Sequence, residues 1–276
     1  MNNLISIKSL DIKFNKNNVL NNVNIDVVNG KTTAIVGESG SGKTLSALSI
    51  LKLLPNSAKI NKGKIYFKNK DILDLPDNEI QKIRGNEITT IFQEPMTSLN
   101  PLHTINKQIE EIILTHNKLN DKEVKDQTKN LLNEVGLSEI AKRQKVYPFE
   151  LSGGQRQRIM IAMSIANNPK LLIADEPTTA LDVTIQMQIL ELLSNLQNKL
   201  GMTLLFISHD ISVVKKIADF VYVMKEGKVI EKGTKEEIFT RPSEEYTKQL
   251  ILSQTKAKNN INLTSAEILK IENLKV

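Results

Sequence analysis

The chain has 276 residues, of which 40% are hydrophobic and 25% charged, with a net charge of +6 and no cysteine. That length and balance suit one large globular domain or one domain with an appended subdomain. The missing cysteine excludes a disulfide framework, a thiolate zinc site and a cysteine-ligated iron–sulfur cluster.

No apolar run reaches the roughly 18 residues of a membrane-spanning helix. The opening MNNLISIKSLDIKF lacks the basic-then-apolar order of a signal peptide. A cytosolic protein is therefore expected, with room for a peripheral membrane association. The basic excess reads either as scattered, solvated lysine or as a nucleic-acid footprint. With only 4% aromatic residues, platforms for stacking bases are not indicated.

In chain order, residues 4–14 alternate apolar and polar (Ile5, Ile7, then Ile12 and Phe14), and residues 19–28 and 64–72 do the same. This is the pattern of half-buried strands, and the three together suggest a small antiparallel sheet. Short apolar runs at 32–36, 88–92, 171–175 and 203–208 read instead as strands buried on both faces. Helical patterns cover Lys43–Leu54 and Thr184–Leu200, the second stopped by Gly201. The alternation predicts an α/β core around a mostly parallel sheet. Residues 97–165 carry helical stretches (INKQIEEIILTHNKL, KDQTKNLLNEVGL) without a strand and read as an inserted helical unit. Residues 221–231 predict a hairpin turning at Glu226-Gly227. Beyond residue 241 a polar tail is expected.

GESGSGKT, from Gly37 through Glu38, Ser39, Gly40, Ser41 and Gly42 to Lys43 and Thr44, fits G-x-x-x-x-G-K-[ST] between a strand and a helix. Glycines let such a loop wrap phosphate oxygens with its N–H groups, and the helix start adds its positive end. Lys43 is expected to reach the β- and γ-phosphates, and the Thr44 hydroxyl to ligate Mg²⁺. LLIADEP ends an apolar strand in two acids. Asp175 is placed to hold Mg²⁺ and Glu176 to polarise an attacking water. Gln93 ends another predicted strand, where its amide oxygen suits the same cation. His209, in FISHD, ends a third strand, where it can bond the γ-phosphate or serve as an ordinary structural histidine. LSGGQRQR places Ser152, Gly153, Gly154 and Gln155 at a helix start, a second place for phosphate to meet backbone.

These motifs, in this order and with the ALD of residues 180–182, resemble the ATP-binding cassette (ABC) ATPase family over about residues 4–240. The resemblance implies an α/β P-loop NTPase cassette with a mostly parallel core sheet, an antiparallel β-subdomain and an inserted α-helical subdomain. Residues 1–96 and 166–240 would form the core, 97–165 the helical signature subdomain and 241–276 a C-terminal tail. It also implies ATP and Mg²⁺ as ligands and a head-to-tail pair of cassettes. In that pair the Ser152 hydroxyl and the Gly153–Gln155 backbone of one chain cap the γ-phosphate held by the other. Asp182 would signal across the seam, and Phe14 would stack on adenine or else serve as a core phenylalanine.

The finer resemblance, carried by IFQEPMTSLNPLHTI, YPFELSGGQRQR, ADEPTTALDV and EYTKQL, is to the ATPase subunits of peptide and nickel importers. It implies a second cassette, two membrane permease subunits, an extracytoplasmic binding protein acting indirectly, and a place on the cytoplasmic face of the membrane. Phe149 stands where many peptide-importer members have histidine, and the chain is short and cysteine-free. Both departures lean toward a nickel or metal-chelate cargo. A soluble ABC ATPase acting on nucleic acid or ribosomes, a regulatory ATP-binding module without turnover, and a separate-subunit exporter are the other classes.

Overall fold

The computed structural model describes residues 2–15, 17–92, 98–143, 145–179 and 181–259. Two sheets form. An antiparallel sheet has the order β2-β1-β4-β5, from β1 (Asn3–Phe14), β2 (Asn17–Val28), β4 (Ala58–Phe67) and β5 (Lys70–Asp71). A six-stranded sheet has the order β10-β9-β3-β8-β7-β6, from β3 (Thr32–Val36), β6 (Ile88–Ile91), β7 (Leu171–Asp175), β8 (Thr203–Ser208), β9 (Phe220–Lys225) and β10 (Lys228–Thr234). Every pairing in the second sheet is parallel except that of β9 with β10.

The apolar runs of β3, β7 and β8 are buried from end to end because both faces of their sheet are covered. Their side chains alternate between two cores. Ile35, Ile173, Leu205 and Ile207 face the antiparallel sheet and α1 (Lys43–Ile50), where Ile7, Ile25, Ala47 and Ile50 complete one core. Ala34, Leu172, Ala174 and Phe206 face the other way, into the core shared with the helices. Among these are α3 (Ile105–His116), α4 (Asp121–Glu134) and α6 (Gly153–Ile165), all within the stretch read as helical, and α7 (Val183–Leu200). Thr104 caps α3, and Asn120 with Glu123 forms a capping box on α4, so both helices start where their side chains satisfy the first N–H groups. Gly201, in the left-handed conformation at φ 63°, ends α7 as expected.

Four local readings change. Alternation in β1 slips one position between Ile7 and Leu10, because Ser9 takes φ 46° in a bulge where Lys8 and Ser9 lie opposite Asn24 of β2, whose side chain accepts the Ser9 N–H at 2.9 Å. The strand read at 64–72 begins earlier and breaks at Lys68-Asn69, whose φ values of 49° and 66° turn the chain back into β5. Helix α1 ends at Ile50, short of Leu54, where Lys52 turns left-handed and Leu53 N–H bonds back to Leu48. After α9 (Lys235–Thr240), the stretch read as a polar tail holds a helix, α10 (Glu245–Asn259). Its Tyr246, Leu250 and Ile251 recur at helical spacing and pack on the main core. The hairpin at Glu226-Gly227 stands as read, with φ 47° and 74°.

Candidate functional site

The C-terminal ends of β3, β8 and β7 lie side by side, and the sequence motifs sit just beyond them. This is the edge where parallel α/β sheets take their ligands. Strand β8 separates β3 from β7, so the acids of β7 are not immediate sheet neighbours of the phosphate loop as the sequence order suggests. They reach it through α1: the Thr44 hydroxyl donates to Asp175 Oδ1 at 3.3 Å.

The loop between β3 and α1 is walled on one side. A Cβ on Gly37 would meet the Met224 carbonyl oxygen at 2.1 Å, and one on Gly42, at φ 98°, would meet Leu20 at 2.3 Å. Gly40, at φ 80°, has open space beyond its Cα and needs to be glycine for its conformation alone. The turn of the β9–β10 hairpin braces the loop from behind: Gly227 N–H bonds the Ser41 carbonyl at 3.1 Å. The buried Ser41 hydroxyl has no hydrogen-bond partner among the described residues.

Lys43 is 5% exposed and donates from Nζ to the carbonyls of Gly37 and Glu38, each at 2.8 Å. Burial pulls its ammonium below the usual lysine range, against the pull of Glu176, Asp175 and Glu38. Asp175 is equally buried, and that burial pushes its carboxyl upward, aided by Glu176 and opposed by Thr44 and Lys43. A hydroxyl and a buried carboxylate thus converge beside an ammonium. Hard oxygen donors beside a phosphate cradle fit Mg²⁺.

Glu176 follows β7 at φ 48°, a left-handed conformation that a side-chain-bearing residue holds only when its surroundings impose it. Its N–H bonds the Ile207 carbonyl at 2.9 Å, which ties it to β8. Its carboxylate accepts from the Thr179 hydroxyl at 2.9 Å and lies 3.0 Å from His209 Nδ1. The two residues named separately from sequence therefore touch. Thr179 was not singled out, although its place three residues after Glu176 in a turn was the available signal.

Ser152 caps α6. Its hydroxyl accepts from Gln155 N–H at 3.3 Å, and Gln155 Oε1 accepts from Ser152 N–H at 3.0 Å. Ser152 and Gly153 are exposed. Gly154 has an intrachain reason to be glycine: a Cβ there would meet Ile185 of α7 at 2.9 Å. Asp182 caps α7 through the Ile185 N–H at 2.9 Å. Phe14 is 37% exposed at the end of β1, across from Asn17 in the register that also pairs Ile12 with Leu20, the residue against Gly42. Gln93 lies outside the described residues; Phe92 just before it is 44% exposed.

The family profile for "ABC transporter" matches residues 20–179. The peptidoglycan transport ATP-binding protein YejF of Agrobacterium fabrum is 53% identical over 258 residues, which cover 92% of this chain and 47% of that protein. The oligopeptide transport ATP-binding protein OppD of Bacillus subtilis is 47% identical over 255 residues, covering 91% of this chain and 71% of OppD. The chain thus spans about half the length of the first relative and about seven-tenths of the second. Among solved structures, a dimeric post-hydrolysis state of the ATP-binding cassette MJ0796 bound to ADP and Pi superposes with a TM-score of 0.73 at 31% identity. It covers 83% of this chain and 98% of that one.

Proposed function

The chain belongs to the ABC transporter family and has the fold of its ATP-binding cassettes, and from that premise we propose that it is the ATP-hydrolysing subunit of a peptide importer. The observation that carries the reading is the convergence of Lys43, Thr44, Asp175, Glu176 and His209 on one edge of the parallel sheet. The loop from Gly37 to Thr44 wraps the triphosphate with its N–H groups, and Lys43 exchanges its two loop carbonyls for phosphate oxygens. Thr44 and Asp175, with Gln93 as the further candidate, would hold Mg²⁺, which would supply positive charge to the phosphates. Glu176 orients the attacking water and draws its proton. His209 keeps Glu176 in register through Nδ1 and offers the γ-phosphate a hydrogen bond through Nε2. Phe14 stacks on the adenine.

Ser152 and the exposed N–H groups that open α6 serve the nucleotide of a second cassette, and Asp182 lies at that seam. Residues 97–165 act as the helical subdomain that carries this half-site. A groove of about 360 Å³ between that subdomain and the core, lined by Leu53, Phe92, Ile112, Met160 and Met163, suits an apolar segment of a membrane permease. Among the described residues no helix is long and apolar enough to cross a membrane. We therefore place the chain peripherally, on the cytoplasmic face, with two permease subunits and, through them, an extracytoplasmic binding protein. The relatives' names, peptidoglycan and oligopeptide transport, favour peptide cargo over nickel or metal chelates.

The test is Glu176→Gln in the assembled transporter. We expect hydrolysis to fall about a hundredfold or more, with ATP retained and a stable pair of cassettes accumulating on gel filtration. Steady-state hydrolysis at the original rate would reject Glu176 as the base. Loss of labelled oligopeptide uptake, but not of nickel uptake, in cells lacking the chain is the expected cargo result.

A further inference from the structure

The motif EYTKQL has no part in the mechanism above, yet the structure brings it to the phosphate loop. It opens α10, whose start is fixed by Glu231 of β10. That carboxylate accepts from the Ser243 N–H and hydroxyl, each at 2.7 Å, and from the Glu244 N–H at 3.2 Å. Leu250 and Ile251 then pack on the core. From this anchored helix the Tyr246 hydroxyl accepts the backbone N–H of Glu38 at 3.1 Å, across 208 positions of sequence. Lys225, at the end of β9, lies over the Tyr246 ring, 4.9 Å from its centroid. The other side of the same loop residue is also held: the Glu38 carbonyl accepts Lys43 Nζ at 2.8 Å. A single residue therefore stands between the tyrosine hydroxyl and the ammonium that meets the phosphates.

We propose that Tyr246 is a positioning residue of the nucleotide site: it fixes Glu38, and through Glu38 the resting pose of Lys43, from a helix outside the strand–loop–helix motif. This rests on the reading of Lys43 as a phosphate ligand. The physical reason is the loop's own composition. Gly37, Gly40 and Gly42 leave its backbone with few steric constraints of its own, so an external bond decides how the peptides around Glu38 are turned. Without that bond the Glu38 N–H turns to water, and the Gly37 carbonyl of the same peptide, which also accepts Lys43 Nζ at 2.8 Å, loses its fixed direction. Part of the ordering is then left for the nucleotide to impose, which weakens binding. The ring, by contrast, contributes packing and its contact with Lys225, and both survive removal of the hydroxyl alone.

Tyr246→Phe in the full chain makes that separation. Two measurements follow: titration with a fluorescent ATP analogue in the presence of Mg²⁺, and amide hydrogen exchange at Glu38 without nucleotide. We expect affinity to fall about two- to tenfold, the range of one net hydrogen bond. Exchange at the Glu38 amide should quicken while the amides of α10 keep their wild-type rates. Wild-type affinity together with wild-type exchange at Glu38 would overturn the proposal. If Tyr246→Phe also frees the helix amides, Leu250→Ala is the comparator, since it loosens the same helix but keeps the hydroxyl. The proposal then requires a larger effect at Glu38 from Tyr246→Phe, and equal effects would reduce Tyr246 to a structural role. If the wild-type chain fails to bind the analogue at all, the functional reading falls, and the exchange rate at Glu38 still decides the positioning claim.

Discussion

The chain opens two helices with glycine-bearing turns, and it builds them in opposite ways. GESGSGKT is enclosed: Met224 and Leu20 wall its glycines, Gly227 braces Ser41, and Lys43 is 5% exposed. LSGGQ is open: Ser152 and Gly153 face solvent, and among the described residues the side chains of Ser152 and Gln155 bond within the turn. The Ile185 side chain lies tightly beneath Gly154. An enclosed turn completes half a site from its own chain. An open one presents helix N–H groups to something outside. A twofold pair in which each copy supplies one turn of each kind needs that division.

The difference can be broken from either side. The largest expected effect is at Lys43. Its ammonium is read as contributing two charge-assisted bonds of about 1.5–3 kcal/mol each, so Lys43→Ala should weaken nucleotide binding about a hundredfold or more, read by the same fluorescent titration. Ser152→Arg should leave that titration unchanged. In the assembled transporter it should slow hydrolysis about a hundredfold, the scale of one lost transition-state donor. An unaltered rate there would end the idea that the open turn serves a neighbour's nucleotide.

The glycines sharpen the contrast through stability. Gly42→Ala forces φ 98° on a residue with a Cβ and drives it to 2.3 Å from Leu20. A loss of about 2–4 kcal/mol in urea unfolding is expected. Gly154→Ala keeps a helical backbone and meets only the movable Ile185 side chain at 2.9 Å, so about 1 kcal/mol or less should be lost. An effect of similar size concerns Asp182. Asp182→Ala removes the cap on α7 and should cost about 1 kcal/mol. A much larger fall in hydrolysis than in stability would mark its work at the seam as separate from capping.

Much of the core was legible because of how it is buried. The runs at 32–36, 171–175 and 203–208 are mostly apolar and buried throughout, since helices or a second sheet cover both faces. The turn at Glu226-Gly227 announced itself by its glycine. Less visible were features that depend on a partner strand. The parity change from Ile5 and Ile7 to Leu10 and Ile12 is visible in β1, but the bulge at Ser9 that produces it is held by Asn24 of the partner strand. The candidate site divides in the same way. Motif spacing named Glu176 and His209 one at a time, but their 3.0 Å contact follows from β7 and β8 being neighbours, a fact of topology. Tyr246 was hidden for a related reason. Its partner is a backbone N–H, which carries no residue-type signal, and the apolar stripe of α10 was masked by the polar residues around it.

The hairpin turn at Gly227 has a consequence for synthesis. The phosphate loop leaves the ribosome early, but its back wall is Met224, its brace is Gly227, and β3 acquires its two flanking strands only when β8 and β9 exist. A nascent chain halted before the last third has every residue of GESGSGKT and the Leu20 wall, but neither Met224 nor Gly227 behind it. Such fragments should emerge unable to retain nucleotide, so that competence arrives late and all at once.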